Sequence, residues 1–376
     1  MLKKVNAFGI GMTFTGVIVG AGFATDQELL QFYGGFGSFG FLGIFISGAF
    51  FALYAALIML VTRRLNTDNY NLIIVPGGNR FLTIVVDIIM AFLMLLIFCV
   101  MVVGAGAQFN QFFGWDPLVG SIIMTVISVI TVFWGSESLL SSFNIVVPIM
   151  VGLGVVISVA SLFFAPNGVH IADPTGWAQP NALVGNWFLS ALLYVLYNML
   201  GGVVSLPNLG IQAKSTKQAV TGAILGGVTI AILAACLFMG VMSNAGNPTE
   251  NAPNVIQSDM PMLAVAKSLS VVTGPLYMFV LFAAIYTTAS GFMFGMKARL
   301  DNFKKMTPKL RNILLIVIGA AALLGTRVGF VNLIATVYPT FGYIGMLIFV
   351  LLLVNYFYSK AKKAKAEVAA SGESSD

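Results

Sequence analysis

The chain alternates long apolar runs with short polar segments. Each run has about the 20 residues that a helix needs to cross the hydrocarbon core of a bilayer. The pattern predicts ten membrane-spanning helices, over residues 7–34, 39–62, 81–112, 116–135, 139–165, 184–210, 216–243, 262–298, 311–327 and 329–358. The tail, 359–376, is rich in Lys, Ala, Ser and Glu, and we expect it to end in disorder.

The composition supports a membrane protein. Apolar residues make up 59% of the chain and charged residues only 9%, and the mean hydropathy is +0.96. Soluble domains carry about 25% charged residues. We therefore predict an all-α integral membrane protein in which residues 1–376 form one transmembrane domain.

Lysine and arginine predict the orientation. All of them except Lys267 and Arg327 lie at the termini or in the even-numbered loops. Because cytoplasmic loops are enriched in these residues, both termini are predicted to be cytoplasmic. The formal charge of +6 then reflects orientation, and no nucleic-acid partner is expected.

Several function classes lack support in the sequence. Cys99 and Cys236 lie inside predicted spans without metal-ligand spacing, and the single histidine, His170, lies in a loop. No phosphate-binding glycine loop is present, and ionisable groups do not converge on a catalytic set. We expect neither an enzyme nor an organic cofactor, and the sequence leaves the oligomeric state open.

Glycines interrupt the first span of each half. Span 1 contains TGVIVGAGFATDQELLQF (residues 15–32), and span 6 contains YNMLGGVVSLPNLG (residues 197–210). Interrupted helices at corresponding positions of two halves indicate a transporter site, because irregular backbone at membrane depth must be satisfied by protein, water or solute. We predict discontinuous spans 1 and 6 in a five-plus-five repeat, with halves at about 7–165 and 184–358.

The segment GAGFAT (residues 20–25) followed by Gln27 and Glu28 resembles the signature of the YkvI-like bacterial membrane proteins. That family belongs to the amino acid–polyamine–organocation superfamily, which has the LeuT-type inverted-repeat fold. The usual motif has glycine where this chain has Asp26. The resemblance implies secondary transport across a bacterial cytoplasmic membrane, with spans 1, 2, 6 and 7 rocking against spans 3, 4, 8 and 9.

The resemblance also implies a sodium site between spans 1 and 8. Its ligands would be the carbonyls of Gly16, Val19 and Ala284 and the hydroxyls of Thr287 and Thr288. Five neutral oxygens suit a hard monovalent cation. The alternative is that the two threonines only bond back to carbonyls of their own helix.

Proton coupling is the second possibility for the driving ion. Proton-coupled relatives place a lysine from span 5 in this site, and residues 139–165 contain none, which favours sodium. The protonatable groups Asp26, Glu28 and Asp87 keep the proton alternative open. Asp87 lies nearer the cytoplasmic end of its span, and a structural role is expected for it.

Asp26 and Glu28 are candidate gating residues on the outer half of span 1. Two residues apart, they lie about 200° around a helix and would face different partners. Arg327 and Lys267, on the outer side, are the candidate partners. Intramembrane carboxylates are costly, so a functional role is the default expectation.

The substrate cavity is expected between the two interrupted helices and span 3. Its predicted residues are Ile18, Ala21, Gly22, Phe23, Phe98, Met101, Tyr197, Asn198 and Gly201. Small neutral side chains near the break suit an amino acid or an amine of modest size. The predicted function is sodium-coupled symport of such a solute, with a proton-coupled transporter or a channel as the alternatives.

Overall fold

The computed structural model describes residues 5–134, 137–165, 168–171, 183–245, 255–301, 303 and 306–372. These residues are helical apart from short connections. The α-helices are α1 Ala7–Ile18, α2 Ala21–Thr25, α3 Gln27–Tyr33, α4 Gly37–Leu65, α5 Tyr70–Ile74, α6 Arg80–Phe113, α7 Pro117–Trp134, α8 Glu137–Phe163, α9 Trp187–Gln212, α10 Thr216–Ser243, α11 Pro261–Leu269, α12 Thr273–Asp301, α13 Pro308–Ala322 and α14 Phe330–Gly372.

The prediction of an all-helical membrane fold is confirmed. Within the described ranges, 8 segments are long and apolar enough to cross a membrane. The apolar helices Ala7–Ile18 and Pro148–Phe163 are shorter, and they belong to predicted spans 1 and 5. The count of ten spans and the inverted repeat therefore stay predictions.

Packing sorts the long helices into two groups. α1, α4, α9 and α10 pack on one another, and α6, α7, α12 and α13 form the second group, while α8 and α14 contact both. Each group takes two helices from each predicted half of the chain. This is the partition into spans 1, 2, 6, 7 and spans 3, 4, 8, 9 that the resemblance implies.

Predicted span 6 does not contain the expected discontinuity. α9 runs unbroken from Trp187 to Gln212 and holds Gly201 and Gly202 within it. Glycine permits an irregular backbone without requiring one. α9 is packed against α4 on one side and α14 on another, and this packing favours the regular helix. The prediction that both halves open with a broken helix is therefore wrong for span 6.

Predicted span 8 begins later than expected. A separate short helix, α11, ends at Leu269, and α12 begins at Thr273. The Ser270 hydroxyl accepts the N–H of Val272 (3.1 Å), and the Thr273 hydroxyl donates to the Ala266 carbonyl (2.6 Å). These side-chain bonds compete with the helical pattern and turn the chain.

α14 extends beyond the predicted tenth span. It continues through the Lys- and Ala-rich segment to Gly372, because Ala, Lys and Glu are strong helix formers. The prediction that the tail ends in disorder concerns its last residues, 373–376, which lie outside the described residues.

Asp87 has the structural role expected of it. Its carboxylate accepts hydrogen bonds from the Tyr70 hydroxyl (2.5 Å) and the Asn71 amide (3.1 Å), and it lies 3.7 Å from the Arg299 guanidinium. Burial and the bond to Asp87 raise the pKa of the Tyr70 hydroxyl. The cluster ties α5 and α12 to the first part of α6.

Candidate binding site at the break in span 1

The first span is broken immediately after Ile18. Gly20 donates its N–H to the Ile18 carbonyl (3.0 Å) and not to Gly16, the acceptor that a continuous helix would use. Gly20 has an extended backbone (φ −105°, ψ −167°), and α2 starts at the next residue. The predicted break in span 1 is therefore present in the structure.

A second irregularity lies at Asp26, which separates α2 from α3. Its backbone is left-handed (φ 63°, ψ 0°), a conformation that aspartate tolerates better than most side chains. The Thr25 hydroxyl supports the turn by donating to the Gly22 carbonyl (2.8 Å) and accepting the Gln27 N–H (3.2 Å). This turn was not predicted, although the Thr25-Asp26 pair was a signal for it, since aspartate and threonine side chains favour turns.

The turn brings Glu28 back to the break. A Cβ added to Gly22 would lie 1.6 Å from Oε1 of Glu28, so this carboxylate packs directly on the Gly22 backbone. Glu28 is buried, and the hydroxyls of Tyr197 and Tyr338 hydrogen-bond to its carboxylate. Predicted site residues from spans 1 and 6 therefore meet here, together with a tyrosine of α14.

Aromatic rings surround this carboxylate on its α9 and α14 sides. The rings of Tyr197 and Tyr338 stack at 4.5 Å between centroids, and Phe32 stacks on Tyr197 at 6.0 Å. Tyr194 meets Phe32 and Tyr197 edge-on at 5.2 and 6.0 Å. Tyr338, Tyr194 and Phe32 were not predicted as site residues, since isolated aromatics at helical spacing carry no signal that separates a site from packing.

Hydrogen bonds fix the helix that carries Glu28. The Ser190 hydroxyl of α9 donates to the carbonyl of Phe32. The Tyr33 hydroxyl bonds to the Ser47 hydroxyl of α4 (2.6 Å), which donates to the Ala191 carbonyl (3.0 Å). α3 is thus held against α4 and α9, and Glu28 with it.

Asp26 faces a different part of the protein. Its side chain is fully buried, and within the described part of the chain neither carboxylate oxygen has a hydrogen-bond partner. Cys236 and Tyr277 lie within electrostatic range of Asp26, and the Tyr277 hydroxyl donates to the Ala24 carbonyl (2.5 Å). Asp26 and Glu28 thus contact different neighbours, as their spacing suggests.

The candidate ion pairs at the outer gate are not formed. Arg327 is exposed, while Lys267 donates to the Gln111 carbonyl (3.1 Å) and lies over the Phe112 ring. Among the described residues the ion pairs are Arg299–Asp87 and Arg311–Asp301. The expectation that Arg327 or Lys267 neutralises a span-1 carboxylate is therefore wrong in this structure.

The predicted sodium ligands are partly brought together. The Thr288 hydroxyl lies 4.0 Å from the position that a Cβ on Gly20 would take, so α12 faces the break. The Thr287 hydroxyl donates to the Ala284 carbonyl (2.9 Å), which is the back-bonded arrangement considered as the alternative. Val19 is buried and Gly16 is exposed.

The remaining predicted substrate residues are spread along four helices, α1, α2, α6 and α9. Ile18, Ala21 and Phe23 are buried around the break. The Asn198 amide donates to the Tyr194 carbonyl of its own helix (3.0 Å), and the Cβ position of Gly201 is open. Other members lie elsewhere: Phe98 and Met101 are buried on α6, which packs mainly against α7 and α12. The role of these two in a cavity stays a prediction.

The structural class of this chain is the LeuT-type fold, which it shares with solved membrane transporters. The structure of MhsT in complex with L-phenylalanine aligns with a TM-score of 0.58 over 96% of this chain and 89% of that one, at 14% identity. Mhp1, a nucleobase-cation-symport-1 family transporter, aligns with a TM-score of 0.53 over 94% and 75%, also at 14% identity. A manganese transporter of Eremococcus coleocola aligns with 0.56 over 94% and 85%, at 12% identity.

Comparison of sequences identifies two relatives from one organism. The chain is 27% identical over 344 residues to the uncharacterized membrane protein YkvI of Bacillus subtilis, covering 92% of this chain and 94% of that protein. It is 26% identical over 357 residues to the protein YyaD of the same organism, covering 92% and 96%. No family model matches the chain. The resemblance drawn from residues 20–28 is confirmed by these relatives.

Proposed function

We propose that this protein is a secondary active transporter that moves a small organic solute, an amino acid or a derivative, together with sodium. The observation that carries the proposal is the break after Ile18, where a buried carboxylate and two tyrosine hydroxyls from other helices meet irregular backbone. A channel would instead favour a pore lined by rings of carbonyls or charges.

The fold neighbours support transport of a solute, and their names span several cargoes. Their titles mention L-phenylalanine, bromovinylhydantoin and manganese. In the described ranges no group of three or more His, Cys, Asp or Glu residues is placed to hold a metal ion. The aromatic rings beside Glu28 make its surroundings largely apolar, which suits an organic solute.

The sodium part of the proposal rests on α12. Thr288 lies next to Gly20 at the break, and Thr287 is buried one residue before it. An ion bound by both helices would bridge the two helix groups and bias the protein toward one state. It shifts this balance only by its difference in affinity for the two states.

The test is solute uptake into proteoliposomes under a sodium gradient, a pH gradient or neither. We expect uptake that requires sodium and saturates. The double variant Thr287→Ala/Thr288→Ala should remove the sodium dependence and leave the protein folded, as judged by thermal unfolding. The matched control is Thr336→Ala/Thr340→Ala, in which the Thr340 hydroxyl bonds back to the Thr336 carbonyl on α14 (2.6 Å).

Two outcomes would overturn parts of the proposal. Uptake that follows the pH gradient and ignores sodium would replace sodium with the proton. A non-saturating conductance without accumulation of any solute would replace the transporter with a channel.

A further inference from the structure

The break in span 1 lies beside buried carboxylates that form no ion pair in the part of the chain that the structure describes. Glu28 lies on the Gly22 backbone, and Asp26 is buried two residues earlier. In the described ranges, the ion pairs involve other carboxylates, Asp87 and Asp301. A buried carboxylate is either protonated or carries a charge that a cation offsets, and no ion pair in the described ranges supplies that cation.

A buried tyrosine hydroxyl near Glu28 also lacks a partner. The Tyr194 hydroxyl is buried and has no hydrogen-bond partner in the described part of the chain. It lies within electrostatic range of both Glu28 and Asp26, and its ring packs on Tyr197. An oriented hydroxyl that is both buried and unsatisfied costs free energy unless a ligand completes it.

We propose that Glu28 binds the ammonium group of the solute, and that the solute is an organic amine without a carboxylate. This inference rests on the proposed transport function and narrows its substrate class. The ammonium would supply the cation that Glu28 lacks among the described residues, and the hydroxyls of Tyr197 and Tyr338 would hold the carboxylate in place. An ionised Glu28 would repel the carboxylate of a zwitterionic amino acid, because like charges at a buried site destabilise each other.

The geometry also explains why Glu28 is placed there by a turn. In this chain Oε1 of Glu28 occupies the space beside Gly22, where a Cβ would otherwise stand. The protein thus supplies the anion at the break, and the ligand must supply the cation.

The test compares carbon skeletons with and without the carboxylate. Uptake and thermal stabilisation are measured for phenethylamine against phenylalanine and for putrescine against ornithine, under both sodium and proton gradients. We expect the amines to bind at least about 30-fold more tightly than the matched amino acids, since removing or opposing one member of a buried charge pair is costly. The reverse order would overturn the inference and leave the transport function standing, whereas uptake of neither class would contradict the transport function itself.

Variants assign the effect to Glu28. Glu28→Gln keeps the shape of the side chain and removes its charge, and it should weaken amine binding by about 30-fold or more. Glu28→Asp keeps the charge and should retain part of the affinity. The control is Asp301→Asn, which removes the carboxylate paired with Arg311 (2.7 Å) at the other side of the protein. Unchanged amine affinity in Glu28→Gln would overturn the inference.

A measurement on the unaltered protein covers the case in which Glu28→Gln does not fold. Dicyclohexylcarbodiimide labels carboxylates at membrane depth, and peptide mass spectrometry would follow the modification of Glu28. Phenethylamine or putrescine should protect Glu28, and phenylalanine should not. Protection by sodium alone, without any effect of the amines, would assign the carboxylate to the coupling ion and overturn the proposal.

Discussion

The glycines of span 1 and those of α9 were predicted to occupy corresponding positions in two halves of the chain, yet only span 1 is broken. At Gly22 the space of a side chain is filled by the Glu28 carboxylate. At Gly201 that space is open, and the helix continues through it. Glycine therefore allows a break without causing one. The break occurs in span 1, where polar groups lie close to the glycines.

The two regions also differ in their partners. α9 contributes Tyr194 and Tyr197 from a regular helix, which fixes their spacing. Span 1 contributes Gly22 and Glu28 through the left-handed turn at Asp26, which lets residues six positions apart meet. The arrangement around Glu28 thus combines tyrosines of the regular helix α9 with residues of the folded segment in span 1, which lie far apart along the chain.

The largest expected effect comes from filling the space at Gly22. In Gly22→Ala the new Cβ meets Oε1 of Glu28 and displaces it from Tyr197 and Tyr338. We expect a loss of about 1–3 kcal/mol in stability and loss of solute uptake. Gly201→Ala is the control, and it should be neutral or stabilising by up to about 1 kcal/mol, because Ala favours the helix. Equal effects of the two substitutions on uptake would remove the distinction between the regions.

The next effect comes from one hydrogen bond at the site. Tyr338→Phe keeps the ring stack on Tyr197 and removes a hydroxyl that bonds to Glu28. Thermal unfolding without solute should show a loss of about 1.5 kcal/mol, typical of a hydrogen bond to a charged group. Tyr343→Phe removes an exposed hydroxyl that bonds to the Leu183 carbonyl (2.9 Å) and should cost less. A larger loss for Tyr343→Phe would contradict this assignment.

A smaller effect is expected at Asp26. Asp26→Asn keeps a side chain suited to the left-handed backbone and removes a buried carboxylate that has no hydrogen-bond partner among the described residues. The solute-free protein should gain about 1 kcal/mol in unfolding free energy. Asp26→Ala removes the same carboxylate but loses about 1–2 kcal/mol to backbone strain. Its unfolding free energy should therefore be lower than that of Asp26→Asn. A loss of stability in the Asn variant would show that Asp26 has a partner that this structure does not place beside it.

The smallest effect concerns a carboxylate outside the break. Burial raises the pKa of Asp259, just before α11. The folded state then binds its proton more tightly than the unfolded state, so stability falls as pH rises from the unfolded pKa through the folded one. Asp259→Asn should flatten that part of the stability profile between pH 3 and neutrality, about the range in which carboxylates titrate. An unchanged slope would mean that burial of this group differs little on folding.

The sequence by itself determined the helical membrane fold, the approximate spans and the break after Ile18. Hydrophobic length and glycine placement act along the chain, so they can be read without knowing which helices touch. The same local signals failed at Gly201 and Gly202, because glycine leaves the outcome to packing. They also failed at Ser270 and Thr273, whose side-chain bonds divide predicted span 8.

Only the tertiary structure decided what surrounds the break. Glu28 was predicted as a gating residue, but its contact with Gly22 depends on the left-handed turn at Asp26, and its bonds to Tyr197 and Tyr338 join residues of α9 and α14. Those residues are more than 150 positions apart along the chain from Glu28. Such a meeting depends on how helices pack, and no pattern within one helix records it.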